Sequence, residues 1–457
     1  MQQALTAIKN EANFMTVITL EHCRALDAQD HLRPLRFHFT LPDGVVYLDG
    51  NSLGAAPKAA AARVADVVQR EWTQGLIRSW NDAGWVDLPQ RLGDQLAPLI
   101  GASKGEVVCT DTTSINLYKV LSAALNIVQA DTEDTKRTKL ISERSNFPTD
   151  LYIAEGICHA RGLELVLLEP DEIAAALQSD VAVLMLTHVN YRTGAMHDMA
   201  GITAAAHAQG IVCVWDLAHS AGAVPVHLHQ ANADFAVGCG YKYLNGGPGA
   251  PAFAWVHPRH SARTDVPFLQ PLSGWFGHAA PFAFTPDYQA APGIRQFLCG
   301  TQPILSLAAL QCGLDIFDAA APLGGMAALR AKSLALTDLF IELVQARCDG
   351  HGLGLATPVA HAQRGSQVCL TRDEGAGVDG TGSGAFAIIQ ALIARGVIGD
   401  FRAGDGGKGP HKDILRFGFT PLYVGFEDVW NAVEHLRQVL DSGEWQQPQF
   451  HQTHAVT

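Results

Sequence analysis

Two ionisable residues stand where apolar runs end. The segment from Val214 to Asn245 contains W-D-L-A-H, ending at His219, and G-Y-K-Y-L-N, starting at Gly240. Asp216 directly follows the run Ile211 to Trp215, and Lys242 follows Phe235 to Val237 between Tyr241 and Tyr243. If the two runs are successive strands of a parallel sheet, both side chains emerge at the carboxyl ends, where open α/β sheets bind their ligands. A carboxylate there can meet a cationic ring nitrogen, and a desolvated lysine becomes the neutral amine that forms a Schiff base. Pyridoxal phosphate needs this pair: a carboxylate keeps its pyridine nitrogen protonated and a lysine holds it covalently. Taken singly, Asp216 reads as a helix cap and Lys242 as a solvated loop residue, since both types are mostly exposed. Their joint placement at strand ends is what favours chemistry.

A phosphate group would need its own site. Asp111 to Asn116 (D-T-T-S-I-N) supplies hydroxyls between a strand ending at Thr110 and a helix starting near Ile115, and free N–H groups at a helix amino terminus bind phosphate. Plain N-capping by Ser114 explains the same pattern.

The elements that must position these residues alternate along the chain. Candidate strands are Val45 to Leu48, Glu106 to Thr110, Lys139 to Ser142, Glu164 to Leu168, Val181 to Thr187, Ile211 to Trp215, Asp234 to Gly238 and Ala252 to Val256, with helix-period stretches between them. Pro57 to Trp72 reads as a helix opening on proline, and Met199 to Gln209 as one ending at Gly210. This is the pattern of an α/β fold with a mostly parallel, mixed sheet of the seven-stranded type covered by helices. After Pro303, helical patterns (Ile304 to Phe317, Met326 to Ala346) lead through a Gly-rich stretch, Gly375 to Gly384, to helix, short strand and helix, expected as a smaller α+β C-terminal domain. The boundaries follow as an N-terminal segment 1–56 packing with the small domain, a large cofactor-binding domain 57–320 and a small domain 321–457. Gly404 to Pro410 reads as a surface loop and the residues after Gln446 as a loose tail.

Composition limits the partners. With 48% hydrophobic and 17% charged residues over 457 positions, the chain is globular. A net charge of −13 argues against nucleic acid or an anionic membrane as the main partner. The nine cysteines are scattered without a C-x-x-C pair and read as reduced core thiols, and no H-E-x-x-H spacing among the 19 histidines points to a metal. No apolar run approaches a membrane span, so a cytoplasmic protein is expected.

Seven blocks together resemble the kynureninase family, of the aspartate-aminotransferase-like fold type I pyridoxal-phosphate enzymes. They are Y-L-D-G-N-S-L-G (Tyr47 to Gly54), S-I-N-L (Ser114 to Leu117), N-F-P-T-D (Asn146 to Asp150), D-L-A-H (Asp216 to His219), Y-K-Y-L-N-G-G-P-G (Tyr241 to Gly249), G-W-F-G-H (Gly274 to His278) and R-F-G-F-T-P-L-Y (Arg416 to Tyr423). The resemblance implies that Lys242 bonds to the cofactor, Asp216 pairs with the pyridine nitrogen, Phe147 stacks on the ring and Asp150 approaches it. It further implies that Thr113, Ser114, Tyr241 and His219 hold or surround the phosphate and that Thr187 lies near the ring oxygen. Trp275 and Thr301 would reach the phosphate from the second subunit of a homodimer with shared sites; some relatives have Asn at the position of Thr301. Arg416 would hold the substrate carboxylate through a planar fork. Each residue also has an ordinary reading: Phe147 and Trp275 as core aromatics, His219 and His278 as structural histidines, Arg416 as an ion pair at a strand edge.

The implied reaction hydrolyses the Cβ–Cγ bond of L-kynurenine, with 3-hydroxykynurenine as a second candidate, to anthranilate or 3-hydroxyanthranilate and L-alanine in tryptophan catabolism. Lys242 would remove the Cα proton and Tyr241 would serve as general acid/base, its pKa lowered by the phosphate or its hydroxyl relaying the proton. A cysteine desulfurase, selenocysteine lyase or aminotransferase of the same fold is the rival reading. The desulfurase needs a nucleophilic cysteine in an R-x-G-x-H-C type of segment, where this chain has Arg416, Phe417, Gly418, Phe419 and Thr420. A non-enzymatic relative is a further alternative, against which the retention of both Asp216 and Lys242 argues.

Overall fold

The computed structural model describes residues 18–131, 137–266, 268–372, 383–406 and 408–452. The larger sheet has seven strands: β1 (Val107–Cys109), β2 (Lys139–Glu143), β3 (Glu164–Leu168), β4 (Val181–Thr187), β5 (Val212–Asp216), β6 (Phe235–Gly238) and β7 (Phe253–Val256). Their order is β1-β7-β6-β5-β4-β2-β3. Strands β2 to β6 run parallel to their neighbours, while β7 is antiparallel to both β1 and β6. The mixed, mostly parallel sheet expected from the sequence is therefore present.

The strands are continuous apolar runs because both faces are covered. Side chains alternate between two cores. Val183, Met185, Val212, Val214, Phe235 and Val237 pack with Leu117, Val120, Leu121 and Ile157, which lie on the helices Thr113–Asp131 and Pro148–Arg161. Leu184, Leu186, Cys213, Trp215 and Ala236 pack on the opposite side with Ala206, Leu307 and Leu310, from Met199–Ala208 and Ile304–Ala320. The stretch Ile304–Leu323 is long and apolar enough to cross a membrane by composition, but half of it is buried within this fold.

A second sheet is built from β8 (Leu353–Leu355), β9 (Gln367–Arg372), β10 (Asp400–Arg402) and β11 (Ile414–Gly418), in the order β8-β9-β11-β10, all antiparallel. Helices Gly325–Arg347, Ala385–Ala394 and Phe426–Ser442 accompany it. Its four strands exceed the single short strand expected there, because β8 and β9 lie ahead of the Gly-rich stretch. Residues 373–382, most of that stretch, lie outside the described residues.

Three further expectations change. The run Val45 to Leu48 does form a strand, Val46–Tyr47, but it pairs in parallel with Val397–Ile398 instead of joining the large sheet. The helix expected over Pro57 to Trp72 is regular only over Lys58–Asp66, then widens into π-helical turns over Val67–Gly75. There Glu71 is turned inward, its carboxylate accepting from Arg63 at 2.8 Å and from the Trp85 indole at 2.7 Å. The supposed tail forms a 3₁₀ turn, Pro448–His451, whose Phe450 packs against the core.

Candidate active site

The carboxyl ends of β4, β5 and β6 converge on one place. Asp216 ends β5, Thr187 ends β4, and Lys242 lies in the turn after β6. Lys242 is 9% exposed, and its Nζ donates to His219 Nε2 at 3.0 Å. The same Nζ stands 5.7 Å from the Phe147 ring centroid and 5.8 Å from that of Tyr241. Lys242 is thus no solvated loop residue. Asp216 does act as a local cap, Oδ1 accepting from the Ala218 N–H at 2.7 Å, and it is also buried beside the lysine.

Asp150, in the first turn of the helix Pro148–Arg161, faces Asp216. Burial, then the neighbouring Asp216 charge, pushes the Asp150 carboxyl well above its ordinary range; burial also raises Asp216, against the pull of Lys242. Asp150 Oδ2 is buried without a hydrogen-bond partner. Two buried carboxyls, one oxygen unmatched, call for a cation beside them. A pyridinium nitrogen meets that need, so the donor set fits pyridoxal phosphate on its own geometry. Phe147 is not core: it is 41% exposed and meets Tyr191 edge-on at 5.3 Å, leaving ring surface to stack on a planar group. Thr187 donates to Asn146 Oδ1, which also accepts from the Phe147 N–H at 2.6 Å.

At the phosphate end, Thr112 and not Ser114 caps the helix Thr113–Asp131, its Oγ1 accepting from the Ile115 N–H at 3.3 Å. Thr113 and Ser114 stand half-buried in that first turn. Asp111, which would repel an anion there, is paired with the buried Lys119 at 2.5 Å. His219 bridges Lys242 and Gln367 in this chain. Its Nε2 is on Lys242 and its Nδ1 on Gln367 Oε1 at 3.1 Å, so both ring nitrogens are engaged. His278 meets the Asp287 carbonyl through Nε2 at 3.1 Å and accepts from the Ala280 N–H through Nδ1 at 2.8 Å. Burial first, then Cys239 and Asp216, raises the phenol of Tyr241 in the chain by itself.

Trp275 packs with Phe276 and Phe282, and Thr301 is exposed. Among the described residues of one chain, no hydrogen bond or ring contact joins either to the Lys242 cluster. Arg416 is 2% exposed, and its fork is already occupied: Nε donates to Asp400 Oδ1 at 2.8 Å and Nη2 to Asp400 Oδ2 at 2.5 Å. Nη2 also donates to Ser52 Oγ at 2.8 Å and Nη1 to the Tyr191 carbonyl at 3.0 Å. Among the described residues these four bonds leave one of the five N–H groups open, on Nη1, so a substrate carboxylate would meet Arg416 there, or at Nη2 by displacing Ser52. This ion pair is buried within the sheet, unlike the exposed edge pair considered from sequence. Of the cysteines, eight are buried, Cys299 is partly buried and all are free, as the sequence suggested. His207, Cys213 and Asp234 cluster within ligand distance, but Asp234 is already held by His207, His260 and Arg259.

Comparison with known proteins decides the family. Residues 329–436 match the family model of the kynureninase C-terminal domain, and residues 46–374 that of aminotransferase class-V. A kynureninase of Pseudomonas fluorescens is 58% identical over 442 residues, covering 96% of this chain and 100% of that protein. The chain belongs to the kynureninase family. A second kynureninase, from Burkholderia pseudomallei, is 55% identical over the same share of both chains. Solved structures extend the likeness in fold alone. An apo cysteine desulfurase from Thermococcus onnurineus superposes with a TM-score of 0.72 at 17% identity, covering 90% of this chain and 98% of that one. A variant of C-DES with glycine covalently linked to its PLP cofactor gives 0.69 at 17%, covering 88% and 98%. Kynureninase membership at this identity outweighs the desulfurase reading, whose support is fold only.

Sequence reasoning missed Gln367, Asp400 and Tyr191. Gln367 begins a strand, Asp400 sits in a short G-D-F-R run, and Tyr191 follows β4 in a loop. None carries a local pattern; only their partners, remote in sequence, reveal them.

Proposed function

We propose that the chain hydrolyses the Cβ–Cγ bond of L-kynurenine to anthranilate and L-alanine, with 3-hydroxykynurenine as a second substrate. The observation that carries this is the grouping of Lys242, Asp216, Asp150 and Phe147 at the strand ends of a chain aligned throughout with kynureninases. The cofactor is pyridoxal phosphate, which when bound supplies a sink for the electrons released at the substrate Cα. Lys242 anchors it and, once freed by substrate, takes the Cα proton. Asp216, with Asp150 behind it, holds the ring nitrogen protonated, and Phe147 stacks on the ring. Thr113, Ser114 and the helix amino terminus hold the phosphate, and Thr187 lies by the ring oxygen. Tyr241, which keeps its proton, acts as an acid. The open N–H on Nη1 of Arg416, joined by Nη2 where the carboxylate displaces Ser52, receives the substrate carboxylate, so that the Cα–H bond faces Lys242.

The protein works as a homodimer in the cytoplasm, and Trp275 and Thr301 complete the neighbouring subunit's phosphate site. The likeness of the Gly274 to His278 block to the family's segment supports this reading. Incubating the protein with L-kynurenine and pyridoxal phosphate tests the function: anthranilate and alanine should appear in equal amounts without a keto-acid acceptor. A requirement for such an acceptor would mark an aminotransferase and overturn the proposal.

A further inference from the structure

A buried hydrogen-bonded path runs from the second sheet to the amine of Lys242. Gln367, the first residue of β9, is fully buried. Its Nε2 donates to the carbonyls of Tyr191 at 3.0 Å and Asn190 at 3.3 Å. Carbonyls only accept, so the amide can be turned only one way, with Oε1 toward His219 Nδ1 at 3.1 Å. An amide oxygen also only accepts, so the His219 proton is on Nδ1. Nε2 is then the lone-pair nitrogen, and it faces Lys242 Nζ at 3.0 Å, where the lysine must be the donor. Each step fixes the next for a neutral His219 ring: Nδ1 carries the proton and Nε2 accepts from the lysine.

We propose that Gln367 is a positioning residue for Lys242, locking His219 in the tautomer whose Nε2 accepts an N–H from the lysine amine. The inference rests on the reading of Lys242 as the cofactor-bearing base. When substrate frees Lys242, one N–H is held by His219 and the remaining positions of the nitrogen, lone pair included, are aimed by that bond. Beside an ammonium the arrangement demands a neutral imidazole, because a protonated ring would turn a donor toward a donor. Burial keeps it neutral, aided by the positive charges that face it: Lys242 from the turn after β6, Arg416 from β11 and Arg402 from β10. The Tyr191 carbonyl that orients Gln367 also receives Arg416 Nη1. The same peptide thus ties the lysine to the arginine that meets the substrate.

The test uses the full-length holoenzyme with Gln367→Met, which keeps shape and removes the bonds, and Gln367→Glu, which puts a carboxylate against Nδ1. Three readouts are taken: histidine nitrogen-15 NMR with the His219 signal assigned by its loss in His219→Gln, the pH titration of the bound cofactor's absorbance, and the pH profile of kcat/KM for L-kynurenine. In wild type the His219 signal should be that of a neutral ring protonated on Nδ1. Gln367→Glu should shift the His219 titration and the acid limb of kcat/KM upward by a unit or more. Gln367→Met should lower kcat tenfold or more with KM changed less than threefold and cofactor content retained. A wild-type His219 protonated on Nε2, or a Gln367→Glu enzyme whose NMR and pH profiles match wild type, overturns the proposal. If the wild type makes no anthranilate, the functional reading fails by itself, and the NMR and absorbance readouts still judge the tautomer.

Discussion

Asp400 and Arg416 sit directly opposite each other across β10 and β11, and the carboxylate grips the guanidinium along its Nε and Nη2 side. Removing one partner of such a pair leaves the other charged and buried. Asp400 keeps a second partner, Arg402 Nη2 at 2.7 Å, so Arg416→Leu is expected to lose folding stability in denaturant titrations by less than about 3–5 kcal/mol, the cost of an unpaired buried charge, as well as about 2–4 kcal/mol in kcat/KM. Replacing both residues by leucine should recover most of the stability and none of the catalysis. Recovery of kcat/KM in the double variant would take Arg416 out of substrate binding.

Lys242→Ala should abolish turnover with little effect on folding, because among the described residues the amine's hydrogen bond is the one to His219. Midpoint and cooperativity of thermal unfolding, compared between cofactor-free wild type and variant, should agree within a few degrees. Steady-state activity near that of wild type would remove the lysine from its role.

Asp49 gives a pH dependence with a definite sign. Burial first, then Asp400, raises its carboxyl from 3.8 to about 7, against the pull of Arg416 and a bond from Ser52. The folded state therefore binds this proton more tightly than the unfolded one. The stabilising contribution is complete below the unfolded value of 3.8 and is lost as pH rises through about 7. Urea titrations of wild type should show stability falling over that window, and Asp49→Asn should flatten the slope. An unchanged slope in the variant would place the titration elsewhere.

If Trp275 serves the neighbouring subunit's site, two inactive variants can repair each other. In a dimer of Lys242→Ala with Trp275→Ala, one site carries both defects and the other carries neither. Random reassortment makes half the dimers mixed, so a mixture refolded together should reach about a quarter of wild-type activity. No gain over the separate variants would mean that Trp275 acts within its own chain or not at all.

Much of the site was legible because its chemistry is written locally. Asp216 and Lys242 end apolar runs, and a parallel sheet carries such residues to one edge. The strands β4 to β6 were legible for the same reason, being nearly uninterrupted apolar segments, and β2 and β3 by their shorter apolar cores. What could not be read is set by pairing at long range. Nothing around Val46 says that Val397 is its neighbour, and nothing in G-D-F-R says that Asp400 will occupy the side of Arg416 that a substrate carboxylate was expected to use. The π-helical turns after Asp66 depend on Glu71 finding Trp85, again across a loop.

The pairing of Val46–Tyr47 with Val397–Ile398 also sets a timetable during synthesis. This early strand must wait for a partner made roughly 350 residues later, which at about 5–20 residues per second is roughly 20–70 s. Through that interval the Tyr47 to Gly54 block, whose Ser52 bonds Arg416 and whose Gly54 N–H bonds the Tyr241 carbonyl, has no finished surface to settle on. The large sheet can assemble meanwhile from segments already released, while the segment that bridges Lys242 and Arg416 docks among the last. Competence for turnover should accordingly lag behind the recovery of helical circular dichroism on refolding, by a step with high contact order.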